Sequence, residues 1–565
     1  MGPPLSLGRG VGDEPHRHAS ASGATGGSAS AAAGSPARRL PAADQLRAGP
    51  DHRDGDVHHC DVVVIGTGAG GAAAGATLAE AGLDVIFVEE GAWHPTSSFS
   101  PWLSETLPRL YRDAGTTLLY GRSTFLAAEG RCVGGSTVIN GGMCWRPPAS
   151  VLAEWAARIG PDFGEAGLDP LFARAERDLS ARPQDPWSVG GDNRLMAQGA
   201  ERLGWRHDRN HRNHDHCVGA NTCILGCVTG AKQSTLVSYM PRAMAAGARA
   251  LTELRVDGLC IEGGRCVGVR GAAVDRRTLQ SSARVEVRAR AVVVACGAIQ
   301  SALLLLRHGV GRPSGQLGRN FVTHPNAKVL AVYPDPVRAW QGVSQWGQVR
   351  EFHEQGIVLA ENMGPPGIIA AAVPRLGRAA WAAMQQYDHM ILSGVLVEDT
   401  SSGRVRRGPF GLSWPSYSIT DRDLAQFLTA MRRLCELHFE MGAERMYLSI
   451  SGVDEIRHPD QLRQLTPDRI RISQMELFTP HLMGTVRLGA DPRTSVVDAA
   501  GALWDLPGCY VADASLFPTP IGVNPQITIT ALALRVADRL AETLRLATGR
   551  APRSSPVARS SSVPA

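Results

Sequence analysis

Asp61-Val62-Val63-Val64-Ile65-Gly66-Thr67-Gly68-Ala69-Gly70-Gly71 decides the fold class. A run dominated by β-branched side chains reads as a short buried strand, and the chain then enters a loop in which Gly66, Gly68 and Gly71 follow the spacing G-x-G-x-x-G. An Ala-rich helical segment, Ala72 to Ala81, comes next, then Gly82, then a second apolar strand, Val85-Ile86-Phe87-Val88, ending in Glu89-Glu90-Gly91. This order is a β-α-β unit built to bind a dinucleotide. The first glycine permits the tight turn, the second lets backbone approach a pyrophosphate, and the third lets the helix pack close to the sheet. The helix start offers free N–H groups and the positive end of its dipole to phosphate. Glu89, 23 positions after Gly66, stands where a carboxylate can accept hydrogen bonds from ribose hydroxyls. The motif alone does not separate FAD from NAD.

The rest of the chain narrows the class. Its 565 residues suffice for two or three domains. With 58 basic and 53 acidic residues mixed along the sequence, the net charge of +5 gives no basic face for a nucleic acid. Lysine occurs only at Lys232 and Lys328; every other basic side chain apart from histidine is arginine. The odd count of 11 cysteines, several of them in apolar strand-like runs (Cys60, Cys260, Cys296), reads as buried free thiols in a reducing compartment. No apolar stretch long enough for a signal peptide or a membrane span is visible, and Arg38-Arg39 has no apolar segment after it, so the expected location is the cytoplasm.

Two further stretches resemble strands of the same nucleotide-binding sheet: Arg290 to Ala295, leading into a helical Leu303 to Leu306 run, and Cys509 to Asp513, leading into a final helix from Thr528 to Thr543. Between them, strand-like runs at Met390 to Val397 and Met446 to Ser449 and an amphipathic helix over Asp421 to Gly442 suggest an inserted α+β layer that caps a site. The expected fold is therefore α/β, a discontinuous Rossmann-like dinucleotide-binding domain with an inserted substrate-binding domain. Its expected segments are a disordered tail 1–58, the first part of the cofactor domain 59–324 with a Cys-rich loop 211–232, the substrate domain 325–480, the second part of the cofactor domain 481–548, and a tail 549–565.

Four more blocks resemble the glucose-methanol-choline (GMC) oxidoreductase family. Gly130-Arg131-Cys132-Val133-Gly134-Gly135-Ser136-Thr137-Val138-Ile139-Asn140 is similar to its first signature, and Gly297-Ala298-Ile299-Gln300-Ser301 onward to its second, with Ala302 in place of the usual Pro and His308 in place of Ser. His481-Leu482-Met483-Gly484-Thr485 resembles the segment of the catalytic histidine, and Asp513 to Pro518 with Val523-Asn524-Pro525 resembles the C-terminal flavin segment. The resemblance implies FAD, held by Gly66, Gly68, Gly71, Glu89, Gly134, Gly135, Ser136, Asn140, Val256, Asp513 and Pro525. The pairing of His481 with Asn524 is similar to cholesterol oxidases and long-chain alcohol oxidases. It implies oxidation of a small-molecule alcohol to an aldehyde or ketone, with hydride going to flavin N5 and then to oxygen or another electron acceptor.

In that chemistry a neutral imidazole takes the hydroxyl proton, a role for His481, while the Asn524 amide holds the same oxygen. A flavin-containing lyase of the same family and a non-catalytic flavoprotein are the alternatives. His324 reads as structural. Glu361 reads either as a solvated loop carboxylate or as the active-site carboxylate of a related oxidase subgroup. Cys217, Cys223 and Cys227 resemble an iron–sulfur loop of flavin-dependent glucose dehydrogenases; the expectation is structural thiols and no metal, with His211, His214 and His216 solvated. Substrate identity, acceptor and oligomeric state are not legible.

Overall fold

The computed structural model describes residues 41–547, apart from 276, 277, 279, 312 and 454. The Asp56–Ile65 strand lies parallel to Val85–Glu89 on one side and to Ser281–Val294 on the other. The far end of Ser281–Val294 pairs in parallel with Cys509–Val511, so three distant stretches do meet in one sheet. Strands buried on both faces read as continuous apolar runs, and Val62, Val63, Val64, Val292, Val293 and Val294 are fully buried. The Ala69–Glu80 helix crosses between the first two strands, against the C-terminal Gln526–Leu546 helix. Its alanines keep the helix surface flat where the two approach.

Expectation and structure differ at the N-terminus. The segment read as tail up to residue 58 is part of the fold from residue 41 on: Leu46–Arg47 adds a parallel edge strand beside Arg249–Thr252, and His52 is buried with Nε2 3.0 Å from the Thr252 carbonyl. Composition undervalues such a segment because the preformed sheet edge satisfies its backbone groups. The tails expected over 1–40 and 549–565 lie outside the described residues.

A second sheet carries the substrate side, in the order Thr117–Leu119, Thr124–Ala127, Glu476–Thr479, Asn326–Val332, Met390–Val397, Ile357–Glu361, Gly347–Val349, His207–Arg209. It recruits strands from outside 325–480, which places the cofactor-side loops directly at its edges. The Asp421–Glu440 helix, opened by a Thr420–Asp423 capping box, covers its outer face with Leu424, Phe427, Leu428, Met431 and Leu434. Side chains alternate across a strand, so Asn326, Lys328 and Leu330 face the other way, toward a cavity of about 1970 Å³ between the two sheets. No described helix is long and apolar enough to cross a membrane.

Candidate active site

The glycine-rich loop forms one end of the cavity, lined by Gly66, Thr67, Gly68, Ala69 and Gly70. Gly66 has φ +97° and sits against the Ala295 carbonyl, which a Cβ would meet at 2.4 Å. No side chain caps the Ala69–Glu80 helix, so its first N–H groups open on the cavity. An uncapped helix start facing a void is an anion site. Glu89 accepts from Thr67 N (3.1 Å), Thr67 Oγ1 (2.7 Å) and Gly91 N (2.9 Å), which locks the loop and leaves one acceptor position on Oε1. Burial raises its pKa.

Gly134 donates to Thr67 Oγ1 and Gly135 presses on the Gly68 backbone, so the two glycine-rich loops build one cradle. Ser136, Asn140, Val256 and Pro525 also line the cavity. The Asn140 amide bonds Gln526 Oε1, and Gln526 Nε2 is left buried without a partner. Asp513 is a brace: its carboxylate accepts from Gly297 N, Ser301 Oγ, Ser515 N and Ser515 Oγ, which uses all its acceptor positions. An uncapped helix start, two close glycine loops and an orphaned amide together fit a dinucleotide lying along this wall.

His481 lies at the junction with the second sheet, 9% exposed, its Nε2 3.3 Å from the Asn524 amide. Its Nδ1 is 3.2 Å from Nδ1 of His324, which is fully buried. The Gly522 amide donates to His324 Nε2 (3.2 Å), so neutral His324 carries its proton on Nδ1 and donates it to His481. His481 then holds its own proton on Nε2, and the amide rotamer that matches offers the Asn524 oxygen to it, leaving the NH2 for the cavity. Burial pushes the His481 pKa down to about 4, and burial plus the neighbouring ring lowers that of His324 further below its usual value. His324, read from sequence as merely structural, is thus the residue that orients His481. A histidine 157 positions away in the chain carries no local signal of that role.

Neither sequence reading of Glu361 holds. It is a fully buried strand residue paired with Ser393 Oγ on the face turned away from the cavity, where burial and Asp192 raise its pKa well above the usual range. The position in front of it, Asn362, is the one that lines the cavity.

All eleven cysteines are free, and among the described residues no group of three or more His, Cys, Asp or Glu side chains is arranged to hold a metal. His211 and His216 are exposed, but His214 is buried beside Asp185, contrary to the expectation of a solvated ring. Cys223 lines the cavity and accepts from Arg212 Nη2 at 3.1 Å. Burial alone would raise its pKa, yet Arg212 and Lys232 outweigh burial and lower it. The thiols of Cys60, Cys132, Cys144, Cys296 and Cys435 are all pushed up by burial. Iodoacetamide at neutral pH should therefore label Cys223 first in cofactor-stripped protein, read by peptide mass spectrometry, because the thiolate is the nucleophile. Labelling of Cys435 at a comparable rate would contradict this.

Comparison with known proteins agrees with this architecture. The family model for GMC oxidoreductases matches residues 107–326 in its N-terminal part and 399–533 in its C-terminal part, and an FAD binding domain model matches residues 61–109. An uncharacterized GMC-type oxidoreductase of Mycobacterium tuberculosis is 36% identical over 86% of this chain and 76% of its own length. A paromamine 6'-oxidase of Streptomyces fradiae is 29% identical over 87% of this chain and 94% of its own length, and the long-chain-alcohol oxidase FAO3 of Arabidopsis thaliana is 25% identical over 86% and 68%. Among solved structures, pyridoxine 4-oxidase from Mesorbium loti shares the fold with a TM-score of 0.63 at 19% identity, covering 86% of this chain and 99% of that one. The cofactor is FAD. With matched models over both halves and a relative of this identity and coverage, the chain belongs to the GMC oxidoreductase family.

Proposed function

We propose that this oxidoreductase converts an alcohol to an aldehyde or ketone, with His481 and Asn524 handling the hydroxyl. The observation that carries the reading is the His481–Asn524 pair, 3.3 Å apart on the cavity wall between the glycine loops and the second sheet. Gly66, Gly68, Gly71, Glu89, Val256, the Gly134, Gly135, Ser136 and Asn140 segment and Pro525 would hold FAD, with Asp513 bracing the loops behind it, and FAD supplies the hydride acceptor when bound. Relatives named as long-chain-alcohol oxidases and a paromamine 6'-oxidase support an alcohol as substrate and oxygen as acceptor.

In the resting ladder His481 Nε2–H is donated to the Asn524 oxygen, and the Asn524 NH2 points toward the substrate hydroxyl, fixing its oxygen and stabilising negative charge as it grows. For His481 to take the hydroxyl proton at Nε2, the ladder reverses: His481 donates from Nδ1 to His324 Nδ1, and His324 gives up its bond from Gly522. His324 then carries its proton on Nε2, so that N–H and the Gly522 N–H face each other and both go unpaired, at about 1–3 kcal/mol each. The sum stays below the roughly 16 kcal/mol barrier of a reaction at about ten turnovers per second. The burial that depresses the His481 pKa keeps the ring neutral and able to accept the proton.

The test is anaerobic mixing of holoenzyme with a sterol, a fatty alcohol, a terpenoid alcohol and a sugar. At least one should bleach the flavin absorbance, which oxygen or a dye then restores. Consumption of a substrate with the flavin band unchanged would support the lyase instead.

A further inference from the structure

The chain's two lysines are treated in opposite ways. Lys232 Nζ is buried but donates to three carbonyls, those of Val138 (2.7 Å), Asn140 (2.7 Å) and Cys223 (2.6 Å). Lys328 Nζ faces the cavity, and among the described residues no partner offsets its burial, which alone brings its pKa to about 7. An amine held this way is costly unless a ligand completes it.

Its surroundings are specific. Gly394, opposite Lys328 on the neighbouring strand, lets three polar ends converge: a Cβ there would lie 2.9 Å from Lys328 Nζ, 2.8 Å from Asn326 Oδ1 and 2.7 Å from Asn362 Nδ2, so no side chain at 394 would fit between them. Asn326, Asn362 and Gly394 also line a small cavity of about 40 Å³ whose remaining wall includes Arg350, Gly522 and Asn524. This cavity has room for a small polar group and not for a ring. No carboxylate lines it. Arg350, with a 10% exposed side chain held over Trp145 and 3.8 Å from Asp208, keeps a buried Nη1 without a partner. Lys328 lines the main cavity and Arg350 the small one, whose wall is otherwise largely apolar (Met143, Val358, Leu396, Val523); Asn326, Asn362 and Asn524 line both, so the Lys328 amine and these amides share the space of the reaction site.

We propose that Lys328, Asn326 and Asn362 form a subsite for an acidic group, so that the substrate is a compact hydroxy acid whose carboxylate lies a few bonds from the carbinol carbon. This rests on the alcohol-oxidation reading for the reaction, and on geometry for the subsite. The carboxylate would accept from Lys328 Nζ and the Asn362 amide, a charge-assisted set that a fatty alcohol cannot use. A cationic aminosugar would be repelled.

Calorimetry on FAD-loaded enzyme separates the possibilities, with butanoate as a non-oxidisable probe and 1-butanol as its neutral match. Butanoate should bind the parent, and Lys328→Met should weaken it roughly ten- to a hundredfold while 1-butanol is unaffected. The ligand-free variant should melt at or above the parent temperature, since an unpaired buried amine is gone, and butanoate should raise the melting temperature of the parent only. If Lys328→Met does not fold, Lys328→Gln carries the same expectation. Butanoate that fails to bind, or binds parent and variant alike, overturns the subsite. Anaerobic 4-hydroxybutanoate distinguishes the two readings. Lys328-dependent binding without flavin bleaching overturns alcohol oxidation and leaves the subsite standing. Bleaching by 1-butanol with no butanoate binding does the reverse.

Discussion

Replacing His481 with alanine should slow flavin reduction by an alcohol roughly a hundred- to ten-thousandfold, the range for losing a positioned acid–base group. FAD content should not change, because His481 contacts Asn524 and His324 rather than the glycine loops. Stopped-flow absorbance of anaerobic enzyme measures this directly. The parent has its own signature: burial pushes the His481 pKa to about 4, and only the neutral ring can take a proton. The reduction rate should therefore fall as pH drops through about 4 and stay flat above it. A parent-like rate in the alanine variant would mean that another group takes the proton.

A second large effect separates two neighbouring glycines. A Cβ on Gly70 would lie 1.8 Å from the Ala512 carbonyl, a backbone atom in the segment leading to Asp513. Neither side can yield by a rotamer change, so Gly70→Ala should destabilise the protein by more than about 3 kcal/mol. Against a typical stability of about 5–15 kcal/mol, this should appear as loss of soluble holoenzyme. Gly68 behaves oppositely. Its φ of −67° suits any residue, and a Cβ there meets nothing within 4 Å. Gly68→Ala should keep the melting temperature of cofactor-free protein, yet its methyl projects into the space before the uncapped helix. FAD affinity should drop roughly ten- to a hundredfold through displaced charge-assisted hydrogen bonds. The ratio of flavin to protein absorbance, with circular dichroism, reads both variants. Equal thermal stability of Gly70→Ala and parent would refute the packing argument.

What the sequence determined by itself is what rests on short-range chemistry. The strand from Asp61, the glycine turn, the Ala-rich helix and the strand ending at Glu89 form one contiguous stretch, and each step depends on residues within a few positions. The Met390–Val397 strand and the helix beginning at Asp421 were legible for the same reason: an apolar run and an amphipathic repeat are local. The tertiary structure decided which side chains share a space. Glu361 and Asn362 are adjacent in sequence, yet one is sealed behind the sheet and the other faces the cavity, because a strand turns successive side chains to opposite faces. The His324–His481 and Gly522–His324 contacts span 157 and 198 positions, and Lys328 comes to face Gly394 only across a sheet pairing. Composition and spacing carry no term for such meetings; they arise when separate strands are brought into register, and that register sets both the proton's position on His481 and the place of the buried Lys328 amine.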